Sequence, residues 1–248
     1  MVKPLMIGNW KMHGNRAMIK SLCTKIAQKG PFENVNVVVC PPAIYAASVV
    51  QQAQGFSVGG QNLSVASQGA YTGEISGAML KDIGCEYVIV GHSERRGMFG
   101  ETNQTVSQKV KQAFANGLIP ILCVGETQQQ RQQGVVEAVL ESQINTVFES
   151  LTAAEQKQLI VAYEPVWAIG TGLVANQQQI ATAHQLIRQA VRQWNATVAT
   201  QLPILYGGSL KPSNAEQILA IDGVDGGLVG GASLKADKFI ELIQLAKL

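Results

Sequence analysis

The feature that most constrains the fold of this chain is a regular alternation of short apolar runs with longer stretches of helix-favouring composition. The runs have four to six residues, are rich in Val and Ile, and place their apolar residues consecutively. Consecutive apolar residues are typical of strands buried on both faces, as in a parallel sheet. Eight runs fit this description: Leu5–Asn9, Val35–Cys40, Phe56–Gly60, Tyr87–Gly91, Ile119–Val124, Leu159–Glu164, Ile204–Gly207 and Gly227–Gly230.

The stretches between these runs predict helices, and four of them carry clear signals. Gln177–Trp194 places apolar side chains at i, i+3 and i+4 spacing, and Lys235–Ala246 repeats that pattern. Thr102–Asn116 is followed by Gly117, a residue that suits the end of a helix. Arg16–Gln28 gathers its apolar residues around one side. Each predicted strand is therefore followed by a helix or by a loop that contains one.

Eight strands and eight helical connections predict a closed (β/α)8 barrel, the TIM-barrel fold. The length of 248 residues is what such a barrel uses as a single unit. No linker rich in Pro, Gly or Ser divides the chain, so residues 1–248 are predicted to form one domain. An open, doubly wound sheet is the alternative, but no GxGxxG sequence follows the first strand to support it.

Composition and charge exclude several functional classes. Charged residues make up 15% of the chain and the formal net charge is +2, so neither nucleic acid nor an anionic membrane is an expected partner. No apolar stretch reaches the length of a membrane span, and the amino-terminal segment lacks the apolar core of a signal peptide. The four cysteines form no CxxC pair, which favours free thiols. We therefore expect a cytoplasmic protein.

Polar residues follow several strands at the end of a barrel where catalytic groups are normally found. Asn9 and Lys11 follow the first strand, and His92 follows the fourth. Glu164 ends the sixth. Taken singly, each has an ordinary explanation as a solvated loop residue or a hydrogen-bonded histidine. Their joint placement at the ends of separate strands favours one site, to which the loops after the seventh and eighth strands add two glycine-rich turns, at Gly207 and Gly208 and at Gly230 and Gly231.

This set of residues suits proton abstraction beside a carbonyl group in a phosphorylated substrate. Glycine turns after the seventh and eighth strands would bring backbone N–H groups to one point, and a short helix near Gly231 would add its positive end. Lys11 adds positive charge. Glu164 can take a proton from carbon, while His92 and Asn9 donate hydrogen bonds to an adjacent oxygen. The three histidines are too far apart in strand order to bind a metal together, so neither a metal nor a cofactor is expected.

Eight blocks of sequence also carry a resemblance that covers essentially the whole chain. The blocks are Gly8–Lys11, Gln61–Asn62, Gly69–Ser76, Gly91–Arg96, Cys123–Glu126, Ala162–Gly172, Tyr206–Ser209 and Leu228–Ser233. In this order they resemble the triosephosphate isomerase family. The resemblance implies reversible interconversion of D-glyceraldehyde 3-phosphate and dihydroxyacetone phosphate through an enediolate, in glycolysis and gluconeogenesis, without a cofactor.

The resemblance also implies roles for single residues. Glu164 would be the base and His92 the neutral electrophile, a pairing for which this family is itself the standard example. A helix beginning in the turn at residues 93–97 would disfavour a charged His92. Lys11 and Asn9 would stabilise charge on the enediolate oxygens, and Glu94 matches the residue that pairs with the lysine. The substrate phosphate would be bound by Lys11 with Gly170, Ser209, Gly230 and Gly231.

Two longer segments match family loops. Pro165–Ala175 resembles a lid that closes over the substrate, with Tyr206 and Ser209 as its latch. Leu173 stands where the family commonly has Lys, a departure that could alter the kinetics of the lid. Gln61–Met79 resembles the loop that reaches into a second subunit and implies a homodimer, although its residues alone would favour an ordinary surface loop.

Two other functions are compatible with parts of this pattern. One is an aldolase that forms a Schiff base through Lys11. The other is a barrel without catalytic activity that serves as a scaffold. The combination of Asn9, Lys11, His92 and Glu164 argues against the scaffold, because binding alone does not require all four.

Overall fold

A computed structural model describes residues 3–246 and shows a closed barrel of eight parallel strands. Each strand pairs with the next in chain order, and the last returns to pair with the first. The strands are β1 Leu5–Asn9, β2 Asn36–Cys40, β3 Ser57–Gly60, β4 Tyr87–Val90, β5 Ile119–Val124, β6 Ile160–Tyr163, β7 Ile204–Tyr206 and β8 Gly226–Val229. All eight predicted strands are present to within about one residue at either end. The predicted (β/α)8 barrel is confirmed, and the open sheet is excluded.

Helices connect the strands along the outside of the barrel. They are α1 Arg16–Lys29, α2 Ala43–Val50, α3 Gly77–Asp82, α4 Ser93–Phe99, α5 Asn103–Ala115, α6 Gln128–Gln132, α7 Val136–Phe148, α8 Ala153–Gln156, α9 Gln177–Trp194, α10 Ala196–Gln201, α11 Pro212–Leu219 and α12 Ala236–Leu245. Two short 3-10 helices, Val166–Ala168 and Gly231–Leu234, follow β6 and β8. The four helices predicted from sequence are found with the same centres. None of the described helices is long and apolar enough to cross a lipid bilayer.

Side-chain caps begin several of these helices at the edge of the barrel where the strands end. The Asn15 side chain accepts a hydrogen bond from the Met18 N–H at the start of α1. Asn176 and Gln179 form a reciprocal capping box at the start of α9. Such caps satisfy backbone N–H groups that the first turn leaves unpaired. They therefore fix the residue at which each loop ends and its helix begins. In this way they hold the loops in place at the catalytic end of the barrel.

The hydrophobic core has two layers. Outward-facing strand residues such as Met6 and Tyr163 pack against the helices, while inward-facing residues fill the barrel itself. The inner layer consists of Leu5, Ile7, Val38, Cys40, Ile89, Ile121, Cys123, Ile160, Ala162, Leu205 and Leu228. Because these side chains fill the barrel, the interior offers no channel, and a ligand can bind only at the loops. All four cysteines are free and buried.

Candidate active site

A pocket of about 470 Å³ opens at the carboxyl ends of the strands. The sequence predicted eight site residues, and the structure brings all of them to the wall of this pocket: Asn9, Lys11, His92, Glu164, Gly170, Ser209, Gly230 and Gly231. The eight residues come from the ends of β1, β4, β6, β7 and β8. Their convergence follows from the parallel barrel, in which all strands end on the same side.

A buried carboxylate and a buried imidazole face each other in this pocket. Glu164 is 2% exposed and His92 is 6% exposed. Nε2 of His92 lies 2.9 Å from Oε1 of Glu164, but Oε1 has no well-aligned hydrogen-bond donor. The other carboxylate oxygen accepts a hydrogen bond of 2.8 Å from the Ser93 N–H. Glu164 is thus held against the start of α4 by a single aligned hydrogen bond and by its proximity to the imidazole.

The position of His92 determines which of its ring nitrogens carries the proton. His92 is the N-cap of α4, and its Nδ1 accepts a hydrogen bond of 3.2 Å from the Glu94 N–H. An accepting Nδ1 has no proton, so this bond assigns the proton of the neutral ring to Nε2, on the pocket side. The turn predicted at residues 93–97 is a helix that continues to Phe99.

Burial and neighbouring charges shift the pKa values of this pair in opposite directions. Burial alone would raise the pKa of Glu164, but His92, the Ser93 N–H and Lys11 outweigh it and lower that pKa. Burial alone would lower the pKa of His92, but the Glu164 carboxylate outweighs it and raises that pKa. Both net shifts therefore depend on the contact between the two side chains.

Lys11 is held in an unusual backbone conformation. Its φ is +50°, the one left-handed value among the non-glycine residues that the structure describes. The Asn9 side chain accepts a hydrogen bond of 3.0 Å from the Lys11 N–H, and the Gln61 amide donates one of 2.9 Å to the Lys11 carbonyl. Nζ of Lys11 forms an ion pair of 2.5 Å with Glu94, the partner that the sequence predicted. These contacts direct the ammonium group into the pocket at a cost in backbone strain.

Glycines on the opposite wall permit close approach of the backbone. A Cβ at position 207 would lie 2.9 Å from Cγ of Glu164, and one at position 208 would overlap the Tyr206 hydroxyl. At position 230, a Cβ would lie 3.5 Å from Cε of Lys11, so the lysine stem passes beside that turn. The ammonium group and the glycine turns therefore surround one region of the pocket, which suits an anion such as phosphate.

Comparison of the sequence with known proteins identifies one family. The sequence model of the family described as triosephosphate isomerase matches residues 4–246. The triosephosphate isomerase of Hydrogenovibrio crunogenus is 49% identical over 243 residues, which cover 96% of each chain. That of Magnetococcus marinus is 49% identical over 251 residues and 98% of each chain. That of Francisella philomiragia is 45% identical over 247 residues, which cover 99% of this chain and 98% of the relative.

The chain belongs to the triosephosphate isomerase family. The family predicted from the sequence blocks is therefore confirmed, as is the prediction that the chain is an isomerase.

One buried carboxylate beside the loop at residues 165–175 has a structural role that the sequence did not predict. Glu126 is fully buried and accepts hydrogen bonds from the Trp167 indole at 2.7 Å and the Tyr163 hydroxyl at 3.1 Å. It also forms an ion pair of 2.8 Å with Arg131, whose guanidinium lies 5.0 Å from the centroid of the Trp167 ring. Glu126 thereby anchors the first part of the loop at residues 165–175. A charged residue two positions after the apolar strand β5 was the available signal.

The middle of this loop, which the resemblance predicts to be a lid, is solvent-exposed in this structure. Residues 170–174 are exposed, and Leu173 and Val174 each have 50% exposure. The Thr171 hydroxyl donates a hydrogen bond of 2.9 Å to the Trp167 carbonyl. The hydroxyl of Tyr206, one of the two predicted latch residues, is buried and has no hydrogen-bond partner. The loop at residues 165–175 is therefore anchored at its start and exposed at its tip.

Proposed function

We propose that this chain interconverts D-glyceraldehyde 3-phosphate and dihydroxyacetone phosphate through an enediolate, without a metal or cofactor. The observation that carries the proposal is the convergence of Glu164, His92 and Lys11 beside glycine turns in one pocket. Membership of the triosephosphate isomerase family supports the same substrates. With those substrates, the chain would act in glycolysis and gluconeogenesis, and we place it in the cytoplasm.

The phosphate group would bind where the glycine turns approach Lys11. Backbone N–H groups near Gly170, Ser209, Gly230 and Gly231 would donate hydrogen bonds, and Lys11 would balance part of the negative charge. A phosphate fixed at this end of a pocket of about 470 Å³ leaves the three-carbon chain near Glu164 and His92. Binding of the non-reacting phosphate thus orients the carbons that react.

Proton transfer would begin with movement of Glu164. Its carboxylate must leave the Ser93 N–H and His92 to reach the carbon next to the carbonyl. Leaving these partners removes the groups that lower its pKa, so the carboxylate becomes a stronger base on arrival. Glu164 then takes the proton from the carbon next to the carbonyl, and the electron pair moves onto the carbonyl oxygen. His92 gives its Nε2 proton to that oxygen and takes one from the neighbouring hydroxyl group. The hydroxyl oxygen becomes the new carbonyl oxygen as Glu164 returns its proton to the former carbonyl carbon.

His92 would stabilise the oxygen on which charge develops. Its Nε2–H points to the pocket side and can donate to the carbonyl oxygen, while the Glu94 N–H keeps Nδ1 unprotonated. Once Glu164 moves away, the carboxylate that raises the pKa of His92 is no longer beside the ring. Burial then lowers that pKa and favours the neutral imidazole. Asn9 and Lys11 would stabilise the same developing charge from the other side.

Closure of the lid would protect the enediolate from water. The tip at residues 170–174 is exposed, whereas its base is held by Glu126. The unpaired, buried hydroxyl of Tyr206 offers a hydrogen bond to a closed lid, in keeping with the predicted latch with Ser209. Exclusion of water matters because a solvated enediol phosphate can eliminate its phosphate group.

We also propose a homodimer formed through the loop at residues 61–79. This loop exposes residues 67–74, with Tyr71 at 55% exposure. A groove of about 460 Å³ lies on the other side of Lys11, and the apolar side chains of Met12 and Phe99 on its wall are 95% and 67% exposed. A protruding loop and an apolar groove on one chain suit a twofold interface. Sedimentation equilibrium at micromolar concentration should give twice the chain mass of 26.5 kDa.

The experiment that tests the activity compares the wild type with Glu164→Gln in the conversion of D-glyceraldehyde 3-phosphate. Loss of a general base typically lowers the rate by roughly 10²–10⁴. Glu149→Gln, a change at an exposed carboxylate, is the matched control. A wild type without activity would refute the proposal, and a fully active Glu164→Gln enzyme would refute the assignment of the base. Borohydride with substrate should leave Lys11 unmodified, since an aldolase would be trapped as a reduced imine.

A further inference from the structure

Beyond the phosphate site, the wall of the active-site pocket carries a local excess of positive charge. Four of the lining residues are Lys, two are His and one is a carboxylate, the buried Glu164. The chain as a whole is nearly neutral, with 19 Lys and Arg residues and 17 Asp and Glu residues. Three of the four lysines have no role in the proposed chemistry: Lys211, Lys235 and Lys238.

These three lysines flank the glycine turns on their outer side. Lys211 precedes α11, in the loop that follows β7. Lys235 precedes α12 and Lys238 lies in its first turn, immediately after the turn at Gly230 and Gly231. All three are exposed while lining the pocket. They therefore lie between the phosphate site and the solvent.

The charge of these lysines is not neutralised by nearby carboxylates. Within residues 3–246, none of the three forms an ion pair. Asp237, which lies between two of them in sequence, is paired at 3.0 Å with Lys25 on α1. Lys11, by contrast, is already paired with Glu94. The outer lysines are thus the unpaired cations at this mouth.

We propose that Lys211, Lys235 and Lys238 form an outer anion site, the lysine rim, that captures the phosphorylated substrate before it reaches the glycine turns. This proposal rests on the proposed function, because it assumes a substrate that carries a phosphate dianion. A cleft lined by one sign of charge concentrates ligands of the opposite charge and raises association rates by about 10- to 1000-fold. The rim would raise kcat/KM and leave kcat nearly unchanged, since capture precedes the chemical step.

The test is a triple variant, Lys211→Gln, Lys235→Gln and Lys238→Gln, which keeps side-chain length but removes three charges. A matched control replaces Lys3, Lys29 and Lys157 by Gln. These lysines are also exposed, but they lie at the opposite end of the barrel, before β1, at the last residue of α1 and before β6. Both variants have the same net charge, so their difference reports the position of the charges.

At about 10 mM ionic strength, where the Debye length is about 30 Å, kcat/KM of the rim variant should fall roughly tenfold. Near 0.3 M salt the difference from the wild type should shrink to less than about threefold, because screening removes the attraction. The control variant should stay within about twofold of the wild type throughout. The reduction should appear in kcat/KM far more than in kcat.

A neutral probe separates capture from a general disturbance of the pocket. D-glyceraldehyde lacks the phosphate, so its slow turnover should be the same in the rim variant and the wild type. An equal loss with this probe, an equal loss in the control variant, or a loss unaffected by salt would overturn the proposal. If the wild type does not turn over the phosphorylated substrate, the proposed function fails. Calorimetric titration with inorganic phosphate then tests the rim separately: equal affinity in wild type and variant refutes it.

Discussion

The two ends of the barrel each hold a buried histidine with a carboxylate and a cation nearby, but the contacts of these groups differ. At the carboxyl end, His92, Glu164 and Lys11 face a pocket and contact each other or other side chains. At the amino end, Arg188 forms an ion pair of 3.1 Å with Asp225 and donates to two backbone carbonyls, while His184 lies 2.9 Å from the Gly223 carbonyl.

In the cluster at the amino end, His184, Arg188 and Asp225 each form at least one hydrogen bond with the backbone. Asp225 accepts a hydrogen bond of 2.9 Å from the Ile204 N–H at the start of β7. The Tyr163 ring packs edge-on against the imidazole of His184, with centroids 5.8 Å apart. Groups fixed by backbone partners hold two loops and a helix together. At the other end, His92 and Glu164 also accept backbone hydrogen bonds, but Nζ of Lys11 and Oε1 of Glu164 have only side-chain neighbours and face the active-site pocket. These two groups remain available to a ligand, which distinguishes the functional cluster from the structural one.

The largest expected difference between the two ends is in the response to removal of each histidine. His92→Gln should lower kcat/KM by roughly 10²–10⁴, because the ring is the proposed electrophile, with only a small change in the free energy of unfolding. His184→Gln should leave kcat/KM of the folded enzyme unchanged and reduce its stability. Steady-state kinetics and urea denaturation on both variants make the comparison. Similar kinetic losses in the two variants would contradict the distinction.

The next effect concerns the ion pair at the amino end. Arg188→Met should reduce the free energy of unfolding by about 2–4 kcal/mol, since it leaves Asp225 without its cationic partner and removes the donor to two backbone carbonyls. The two charged side chains are about 20% exposed, which places the loss below that of a fully buried pair. Arg192→Met, an exposed arginine one turn further along α9, is the control and should change stability by less than about 0.5 kcal/mol.

The third effect, similar in size to the second, is a difference in pH dependence between the two histidines. Burial, followed by the charge of Arg188, lowers the pKa of His184 from 6.5 to about 4. The unfolded chain therefore takes up a proton near pH 6.5 that the native state does not take up until near pH 4. The stability contribution of His184 should fall by about 3 kcal/mol as the pH drops through that window.

His92 should show the opposite sign, because its pKa is raised in the folded state. Its contribution to stability is present below pH 6.5 and is lost as the pH rises through the raised value. Subtracting the unfolding free energies of each His→Gln variant from those of the wild type, between pH 4 and pH 8, isolates the two contributions. Two difference curves with the same slope would refute the assignment of the environments.

The sequence predicted the barrel and the eight pocket residues because both depend on local patterns. Apolar runs mark strands, and their carboxyl ends converge once the strands are parallel. The role of Glu126 was not predictable in this way, since its partners Tyr163 and Trp167 are 37 and 41 residues away. Helical spacing correctly placed His184 on the buried side of α9 but gave no sign of its contact with Gly223.

The left-handed backbone conformation of Lys11 was also not predictable from the sequence. It affects which substitutions are favoured at this position. A left-handed conformation costs a lysine about 1 kcal/mol or more, whereas glycine adopts it freely. Lys11→Gly would therefore relieve strain while removing the ammonium group from the pocket. A library sorted only for heat tolerance should lose lysine at this position. One sorted for growth on a carbon source metabolised through triose phosphates should retain it.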